Sequence, residues 1–551
     1  MKRRDFLKIS APLSITPFIL NGLTMKAFAT PGMLQTLGCE EVGDRVMVLV
    51  QLKGGNDGIN TLIPIEQYAT YANLRPDIRI KDTGASGEKY ITLDNGLALP
   101  KQTGLHPAMT SIKDLYDQGK AAMINGVGYP DANKSHFKST DLWLTGGDGT
   151  PANFTHSTGW MGRYLDYSFP GIAGNPNTAM PDPLGIELGD KKPSLGFHTE
   201  SEHQASINLT GQDPSGFYNV VSEIGNSPLL NLAMSEYGGI MEHVMNIENS
   251  ISVYSKRISD VFDAGNNVGS YPNSDLANQL KTVARLMSGG CKTKIFLVSL
   301  GGFDTHNGQI QTGSTELGKH AELLGTLADA VKAFQDDLQS LGLEDRVMTV
   351  TFSEFGRKAI QNGSNGTDHG TLAPMMVFGK HLEAGVFGNH IDLNNLDNTG
   401  APADAPVHDY RQVFTTLLQD WLGASNAALT AAYFDPYATA KLPMVAPSHV
   451  VPSECFDPFI NAVGIEDELF QFRAFPNPTI GLFRVEYVLV YPTVVNITVM
   501  DLNGSVVLRK EQQSLAGQNQ LVLDISSQPA GVYLCEIAHA TAKQVIKIVR
   551  V

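Results

Sequence analysis

The chain is poor in cysteine and in clustered basic charge, and both shortages exclude classes of protein. Its 551 residues include four cysteines, which are widely spaced and form no CxxC pair, so a zinc knuckle or a thioredoxin-like redox site has no support. Lys and Arg number 40 against 56 Asp and Glu, a formal net charge of −16. Because no basic patch is present, we expect no nucleic-acid partner.

No apolar run near the start is long enough to anchor the chain in a membrane. The apolar stretch from Ile9 to Leu20 contains Pro12 and Pro17, and it falls short of the ~20 residues that a membrane-spanning helix needs. We therefore expect no transmembrane segment.

Residues 1–29 have the organisation of an export signal. Arg3-Arg4 opens a short basic region, the apolar stretch follows, and Ala27-Phe28-Ala29 is typical of a cleavage site. The sequence around Arg3-Arg4 resembles twin-arginine signals, which are read by a machinery that exports folded proteins. The sequence thus predicts export through the periplasm, to the cell surface or the medium.

Four apolar runs adjoin loops that carry acids and histidines. Such runs are typical of buried parallel strands, and a helical stripe from Leu324 to Leu341 lies between the second and third, which predicts a parallel crossover in an α/β fold. The functional crevice of such a sheet lies outside the carboxyl ends of the strands. The runs and adjoining residues are Val46–Leu52 with Asp57, Lys294–Leu300 with Asp304 and His306, Val347–Phe352 with Glu354 and Arg357, and Met375–Phe378 with Asp368 and His369.

The composition changes near residue 436. We expect an α/β domain over residues 30–435, a Pro-rich linker over 436–470, and a small β-sandwich over 471–551, in which alternating runs flank an Asn503-Gly504 turn. Residues 153–225 are rich in Gly, Pro, Ser and Asn, which favours long loops or a cap over a site.

The C-terminal piece resembles the sorting domain of the type IX secretion system of Bacteroidetes. The resemblance rests on Phe475-Pro476-Asn477-Pro478, on Asp501-Leu502-Asn503-Gly504, on the strand from Pro529 to Tyr533, and on the basic ending Lys547 to Val551. It implies passage across the outer membrane by that machinery, with removal of the domain and release or surface attachment.

The main body, along most of residues 45–425, resembles the domain-of-unknown-function family fifteen hundred and one (DUF1501), which is placed in the alkaline phosphatase and sulfatase superfamily. The resemblance implies an alkaline-phosphatase-like, mostly parallel sheet flanked by helices, and metal-dependent hydrolysis of phosphate or sulfate esters, carried by small molecules or glycans. The motifs that carry it are Leu105-His106-Pro107, Ser135-His136-Phe137, Gly159 to Arg163, Gly301 to His306, Ser353 to Arg357, and Gly366 to Gly370.

The resemblance implies metal ligands at Asp57, Asp304, His306, Asp368 and His369, which offer carboxylates and imidazoles at strand ends. Chemistry alone leaves alternatives open, because Asp is common in turns such as Gly-Asn-Asp-Gly and Asp-His pairs also occur by chance. Asp304 and His306 are two residues apart, so an extended loop can point both to one side. Asp368 is either a ligand or a residue that orients one.

Glu354 marks a departure from the superfamily pattern, which has Asp followed by His where this chain has Glu354-Phe355. With one imidazole missing at that place, a two-zinc site is in doubt, and an oxygen-rich site for Mg²⁺, Ca²⁺ or Mn²⁺, or a single metal ion, becomes an option. Arg357 either pairs with a bound oxyanion or forms a structural salt bridge.

Ser135 precedes a predicted helix, where a hydroxyl serves either as the nucleophile of ester hydrolysis or as an N-cap. His136 is an alternative acid/base or metal ligand, and His106 is expected to cap or pack. The competing reading of the whole chain is a noncatalytic surface protein that retains the phosphatase-like fold.

Overall fold

The protein is described by a computed structural model whose chain divides into two compact units. One comprises residues 44–164 and 176–451, and the other residues 1–43, 165–175 and 452–551. The structure describes residues 17–20, 23–26, 39–151, 153, 156–169, 180–190, 194–199, 206–209, 254–457, 472–489, 493–501, 504–514, 517–539 and 542–551.

Twenty-one strands and ten named helices occur in these residues. The strands are β1 (Pro17–Leu20), β2 (Leu23–Lys26), β3 (Val46–Lys53), β4 (Leu62–Pro64), β5 (Ile91–Thr92), β6 (Thr103–Leu105), β7 (Ala121–Gly128), β8 (Gly185–Leu188), β9 (Ser206–Leu209), β10 (Ile295–Gly301), β11 (Val347–Phe352), β12 (Ala373–Phe378), β13 (Gly385–Phe387), β14 (His408–Asp409), β15 (Phe472–Phe475), β16 (Leu482–Leu489), β17 (Thr493–Asp501), β18 (Val506–Ser514), β19 (Gly517–Asp524), β20 (Gly531–His539) and β21 (Ala542–Arg550). The helices are α1 (Glu40–Gly43), α2 (Gly58–Thr61), α3 (Tyr68–Leu74), α4 (Thr110–Asp117), α5 (His136–Thr145), α6 (Trp160–Ser168), α7 (Asp275–Ser288), α8 (Lys319–Ser340), α9 (Tyr410–Thr416) and α10 (Asn426–Ala431), and residues 254–264 are also helical.

The α/β unit is built on a nine-stranded sheet with the order β13-β7-β12-β11-β3-β10-β8-β9, and β14 pairs with β7. The central strands β11, β3, β10 and β8 are parallel, whereas β12 is antiparallel to both β11 and β7. The strands β7, β11, β3 and β10 therefore end at one edge, and β12 begins there. This arrangement gathers the loops that follow four strands and the loop that precedes β12.

The predicted crossover is confirmed, because α8 connects the parallel strands β10 and β11, which lie on either side of β3. Continuous apolar strands are explained by burial on both faces. On one face Val48 and Val50 belong to the same buried cluster as Leu324 and Val331 of α8. On the other face, Trp143 stacks on Phe352 of β11 with ring centroids 5.5 Å apart. The result is the mixed α/β fold that the sequence predicts, with helices on both sides of a mostly parallel sheet.

The C-terminal strands form two antiparallel sheets, ordered β15-β16-β19 and β18-β17-β20-β21. One buried cluster contains Phe483 and Val485 of the first sheet and Ile497 and Ile537 of the second. Two sheets that enclose one core form a β-sandwich, as predicted. The predicted hairpin is formed by β17 and β18, although Asn503 of its turn lies outside the described residues.

Cys39 and Cys455 form a disulfide, while Cys291 and Cys535 are buried free thiols. The sequence left this pairing open, because the spacing of cysteines does not encode which two meet. A disulfide is compatible with export, since disulfides persist in oxidising compartments outside the cytoplasm, whereas cytoplasmic thiols are kept reduced.

Most of the predicted signal peptide and much of the Gly- and Pro-rich segment 153–225 lie outside the described residues, so these expectations stay predictions. Within the signal region, β1 and β2 pair antiparallel. In the part of the chain that the structure describes, no helix combines the length and apolarity needed to cross a membrane.

Candidate metal and active site

The loop after β3 approaches its neighbours so closely that side chains are excluded. Gly54 has φ +118°, and a Cβ there would lie 2.3 Å from the backbone nitrogen of Asp304. Glycine tolerates both the positive φ and the contact. Its own N–H donates to Glu354 Oε1 at 2.9 Å. The Gly-Gly turn thus brings the loops after β3, β10 and β11 into contact.

Glu354 holds an imidazole from a different strand. Its Oε1 accepts a hydrogen bond from His136 Nδ1 at 2.8 Å, and its side chain is buried. The hydrogen bond to Glu354 raises the pKa of His136, although burial opposes this shift. A carboxylate behind an imidazole fixes the tautomer and makes the other nitrogen a better ligand. His136 Nε2 is buried and has no hydrogen-bond partner among the described residues.

Asp304 lies opposite this imidazole, with Oδ2 3.6 Å from His136 Nε2. Its Oδ1 accepts a hydrogen bond from Arg357. Burial acts to raise the pKa of Asp304, but the hydrogen bond and charge of Arg357 outweigh it and hold the pKa at about 2. Asp304 is therefore a carboxylate at neutral pH, available as an anionic ligand.

His306 and His369 complete the group with a close nitrogen-to-nitrogen contact. His306 Nδ1 lies 3.1 Å from Asp368 Oδ1, and His369 Nδ1 lies 2.8 Å from the carbonyl oxygen of Lys134. Because both partners only accept, each Nδ1 donates, and the tautomers follow from these contacts. The two Nε2 atoms then present lone pairs to each other at 2.9 Å. Facing lone pairs repel unless a proton or a cation lies between them.

The spacing of these atoms fits a metal ion. Asp304 Oδ1 lies 3.2 Å from His306 Nε2 and 3.3 Å from His369 Nε2. A tetrahedral ion with bonds of about 2.0–2.1 Å separates neighbouring ligand atoms by roughly 3.3 Å. Three imidazoles, each backed by an acceptor at Nδ1, match the usual surroundings of metal-bound histidine. Ligand atoms of His136, Asp304 and His369 lie within 4.8 Å of one another.

This donor set is richer in nitrogen than the sequence suggests. Phe355 does occupy the place of the expected imidazole, and its ring packs 4.8 Å from that of His136. His136 reaches the group from the loop after β7, a strand that the sequence pattern did not reveal. Nitrogen donors favour zinc and its neighbours over Mg²⁺ or Ca²⁺.

Asp57 lies in a different, fully buried polar group. Its Oδ2 accepts hydrogen bonds from Arg75 at 2.6 Å and from Gln309 at 2.5 Å. Burial acts to raise the pKa of Asp57, and the neighbouring Arg75 charge outweighs it, so the net pKa is lowered. His320, whose pKa burial lowers to about 4, lies nearby. Asp57 and His306 are both outside the group whose ligand atoms all lie within 4.8 Å of one another, but His306 Nε2 contacts Asp304 and His369 of that group.

The hydrogen bonds of Arg357 resemble those of a structural residue. Besides Asp304, its guanidinium donates to the carbonyl oxygens of Gly55, Thr367 and Phe303, and its side chain is buried. A guanidinium committed in this way anchors three loops and the Asp304 carboxylate. Of the two alternatives left by the sequence, these contacts favour the salt bridge.

Ser135 is exposed and directly precedes α5, yet its side chain makes no capping hydrogen bond. Its backbone N–H donates to Asn133 Oδ1 at 2.8 Å. The hydroxyl is thus not used for N-capping, the structural alternative considered for it. His106 accepts a hydrogen bond from the backbone N–H of Ala108 and is buried, as expected for a capping and packing residue.

Three groups around the site carry no sequence signal. Arg75 and Gln309 belong to no recognisable motif, and each meets Asp57 only through the fold, 18 and 252 residues away in sequence. The backbone carbonyl of Lys134 also has no sequence signal, because every residue carries such a group.

The site thus belongs to an α/β protein with a candidate metal centre at the carboxyl edge of its sheet. Comparison with families identifies the parts more closely. Residues 255–435 match the family described as protein of unknown function DUF1501, and residues 473–551 match the secretion system C-terminal sorting domain. The chain therefore carries a DUF1501 region and a type IX sorting domain, which indicates export to the cell surface or the medium. No curated protein matches the chain.

The solved structures that match the chain are distant from it in both sequence and shape. The protein Ps i-CgsB, solved in complex with k-i-k-neocarrahexaose, has 11% identity and a TM-score of 0.30, with 89% of this chain and 86% of that chain covered. An alkaline phosphatase superfamily protein from Vibrio parahaemolyticus has 11% identity and a TM-score of 0.27, with 88% and 83% covered. The PsFucS1 sulfatase from Pseudoalteromonas sp. has 9% identity and a TM-score of 0.29, with 92% and 90% covered.

Proposed function

We propose that the protein is an exported, metal-dependent hydrolase of phosphate or sulfate esters. The observation that carries the proposal is that ligand atoms of His136, Asp304 and His369 lie within 4.8 Å of one another, beside an exposed serine at a helix start. His306 Nε2 lies 2.9 Å from His369 Nε2 at the side of this group. An ester borne by a small molecule or a glycan is the substrate class. A phosphoryl or sulfuryl group is anionic, so a cationic centre attracts it despite the acidic surface.

His136, Asp304, His306 and His369 would hold one divalent ion. Glu354 and Asp368, which hydrogen-bond to His136 and His306, would orient ligands rather than bind the ion directly. When bound, such an ion lowers the pKa of a coordinated hydroxyl group or water and stabilises charge on the transferred group. We favour Zn²⁺ or a similar transition metal over Mg²⁺ and Ca²⁺ because of the three nitrogen donors.

The protein's own groups would prepare the reaction. Ser135 stands at the N-terminus of the ten-residue helix α5, where the helix dipole favours negative charge on its oxygen. The neighbouring His136 is held by Glu354, which fixes the position of the first turn of that helix. Ser135 would supply the nucleophile, while Arg357 keeps the Asp304 carboxylate in place.

Replacing Ser135 with Ala should abolish ester hydrolysis and leave stability and metal content nearly unchanged. The serine hydroxyl makes no capping hydrogen bond, so the ~1 kcal/mol that an N-cap contributes should not be lost. Initial rates with an aryl phosphate and an aryl sulfate, together with the melting temperature of the same sample, measure both effects.

Ser364→Ala is a matched control. Ser364 is also exposed, and its N–H donates to Asn362 Oδ1 at 2.8 Å, as that of Ser135 does to Asn133. Its loss should leave the rate unchanged. Full activity in Ser135→Ala would remove Ser135 from the mechanism. No activity in metal-loaded wild-type protein would favour the noncatalytic surface protein instead.

For the export route, we propose twin-arginine passage into the periplasm followed by the type IX machinery. Mass spectrometry of protein from the native host should find a first residue near Thr30 and no C-terminal sandwich. Replacing Arg3 and Arg4 with Lys keeps the charge and should block export, since the signal is read by sequence. An intact chain of residues 1–551 in the medium would contradict both processing steps.

A further inference from the structure

Gln309 is a buried residue that connects both loops of the candidate metal site. Its side-chain Oε1 accepts hydrogen bonds from Thr305 Oγ1 at 3.1 Å and from Thr367 Oγ1 at 2.9 Å. Thr305 lies between Asp304 and His306 in sequence, and Thr367 directly precedes Asp368 and His369. A single amide oxygen therefore joins the loop after β10 to the loop before β12.

The opposite end of this amide is anchored to a buried ion pair. Gln309 Nε2 donates to Asp57 Oδ2, and Arg75 donates to the same oxygen. The side chains of Arg75 and Asp57 have 0% exposure. Arg75 also donates to the carbonyl oxygens of Lys358 and Ala359 at 2.7 and 2.9 Å. The anchor is thus fixed to the end of β3 and to the loop that begins after β11.

The ion pair also determines which way the amide faces. Because an ionised carboxylate only accepts hydrogen bonds, the NH₂ group of Gln309 must face Asp57. Its oxygen must then face Thr305 and Thr367, and both hydroxyls must donate to it. Reversing the amide would place its oxygen against the Asp57 carboxylate, and two buried acceptors in contact repel each other, which is costly. The distance between the two threonines is therefore set by one defined side-chain orientation.

We propose that Gln309 is a positioning residue, which sets the spacing between the two ligand loops so that His306 and His369 meet one ion. The inference rests on the proposed function for the ion, but not on hydrolysis. Metal sites need their ligands held within about 0.5 Å, and the two Nε2 atoms are already 2.9 Å apart. The backbone contact between Thr367 N–H and the Thr305 carbonyl oxygen, at 3.2 Å, depends on the same spacing.

The test compares Gln309→Leu with Gln335→Leu in the full chain. Gln335 is an equally buried glutamine whose Nε2 donates to a threonine hydroxyl, Thr349 Oγ1, within the core. Both variants lose a buried amide, so both should lower the melting temperature. Only Gln309→Leu should weaken Zn²⁺ binding, by 10- to 100-fold as for other residues that orient ligands, and should alter the visible absorption of the Co²⁺-loaded protein.

Gln309→Met and hydrogen exchange separate the possible failures. Met fills the space without the amide and should weaken binding as Leu does. Exchange at the Thr367 amide should accelerate in Gln309→Leu without added metal, and not in Gln335→Leu. Unchanged Zn²⁺ affinity in Gln309→Leu, or wild-type exchange at Thr367, would overturn the positioning role. Tight Zn²⁺ binding by an inactive wild-type protein would overturn hydrolysis alone.

Discussion

Asp304→Asn should lose bound metal and ester hydrolysis together. We expect its Zn²⁺ affinity to fall by more than about 100-fold, because removing a residue that only orients a ligand already costs up to about 100-fold. The change removes the negative charge of the proposed ligand but keeps an oxygen for the hydrogen bond from Arg357. About half of the Asp304 side chain is exposed, so the fold should survive. Elemental analysis and initial rates on one preparation measure both losses.

A comparison within the same chain makes this result specific. Asp345 also pairs with a histidine, His381, at 2.7 Å, but it lies just before β11, at the amino end of that strand. Asp345→Asn should therefore leave metal content and rate at wild-type values. Wild-type metal content in Asp304→Asn would contradict the assignment of Asp304 as a ligand.

Arg75→Ala should cause a large loss of stability of the α/β unit. Arg75 and Asp57 are a fully buried ion pair. Removing one partner leaves the other charge buried and unpaired, at a typical cost of about 3–5 kcal/mol. The three tryptophans, Trp143, Trp160 and Trp421, all lie in this unit. The denaturant midpoint from tryptophan fluorescence therefore reports on this unit alone.

The double variant Asp57→Asn with Arg75→Met should recover part of the loss, because it leaves no unpaired charge. The exposed pair Lys256–Asp260, with side chains 60% and 57% exposed, provides the contrast. Its disruption by Asp260→Asn should cost less than about 1 kcal/mol. Equal effects of Arg75→Ala and Asp260→Asn would argue against an energetic role for the buried pair.

Strands and their ends were the parts of this fold that sequence could predict. The run from Val347 to Phe352 is mostly apolar because both faces of β11 are buried, and its boundaries agree with the structure. Asp304, His306 and His369 follow from the same logic, since they adjoin such strands. Local sequence pattern is enough to place these residues, because burial makes the adjoining strands apolar and so marks where each strand ends.

The rest of the site depends on contacts that local pattern does not contain. The strand β7 includes Asn125 and Gly126, which interrupt its apolar run, so the route of His136 into the site was not evident. Glu354 has the chemistry of a ligand, yet its neighbours Gly54 and His136 commit it to hydrogen bonds. Asp57 has the expected position after β3, but its carboxylate pairs with Arg75 instead. These pairings depend on residues that are not neighbours in sequence.

The first and last residues of the α/β unit lie close together. Arg45 Nη1 donates to the carbonyl oxygen of His449 at 2.8 Å, and Cys39 and Cys455, just beyond the two ends, have Cα atoms 5.4 Å apart. A unit with adjacent ends has no obligatory first residue, because a short peptide can join them while a surface loop is opened elsewhere. The order of segments within this unit is then open to circular permutation without altering the loops that carry the site.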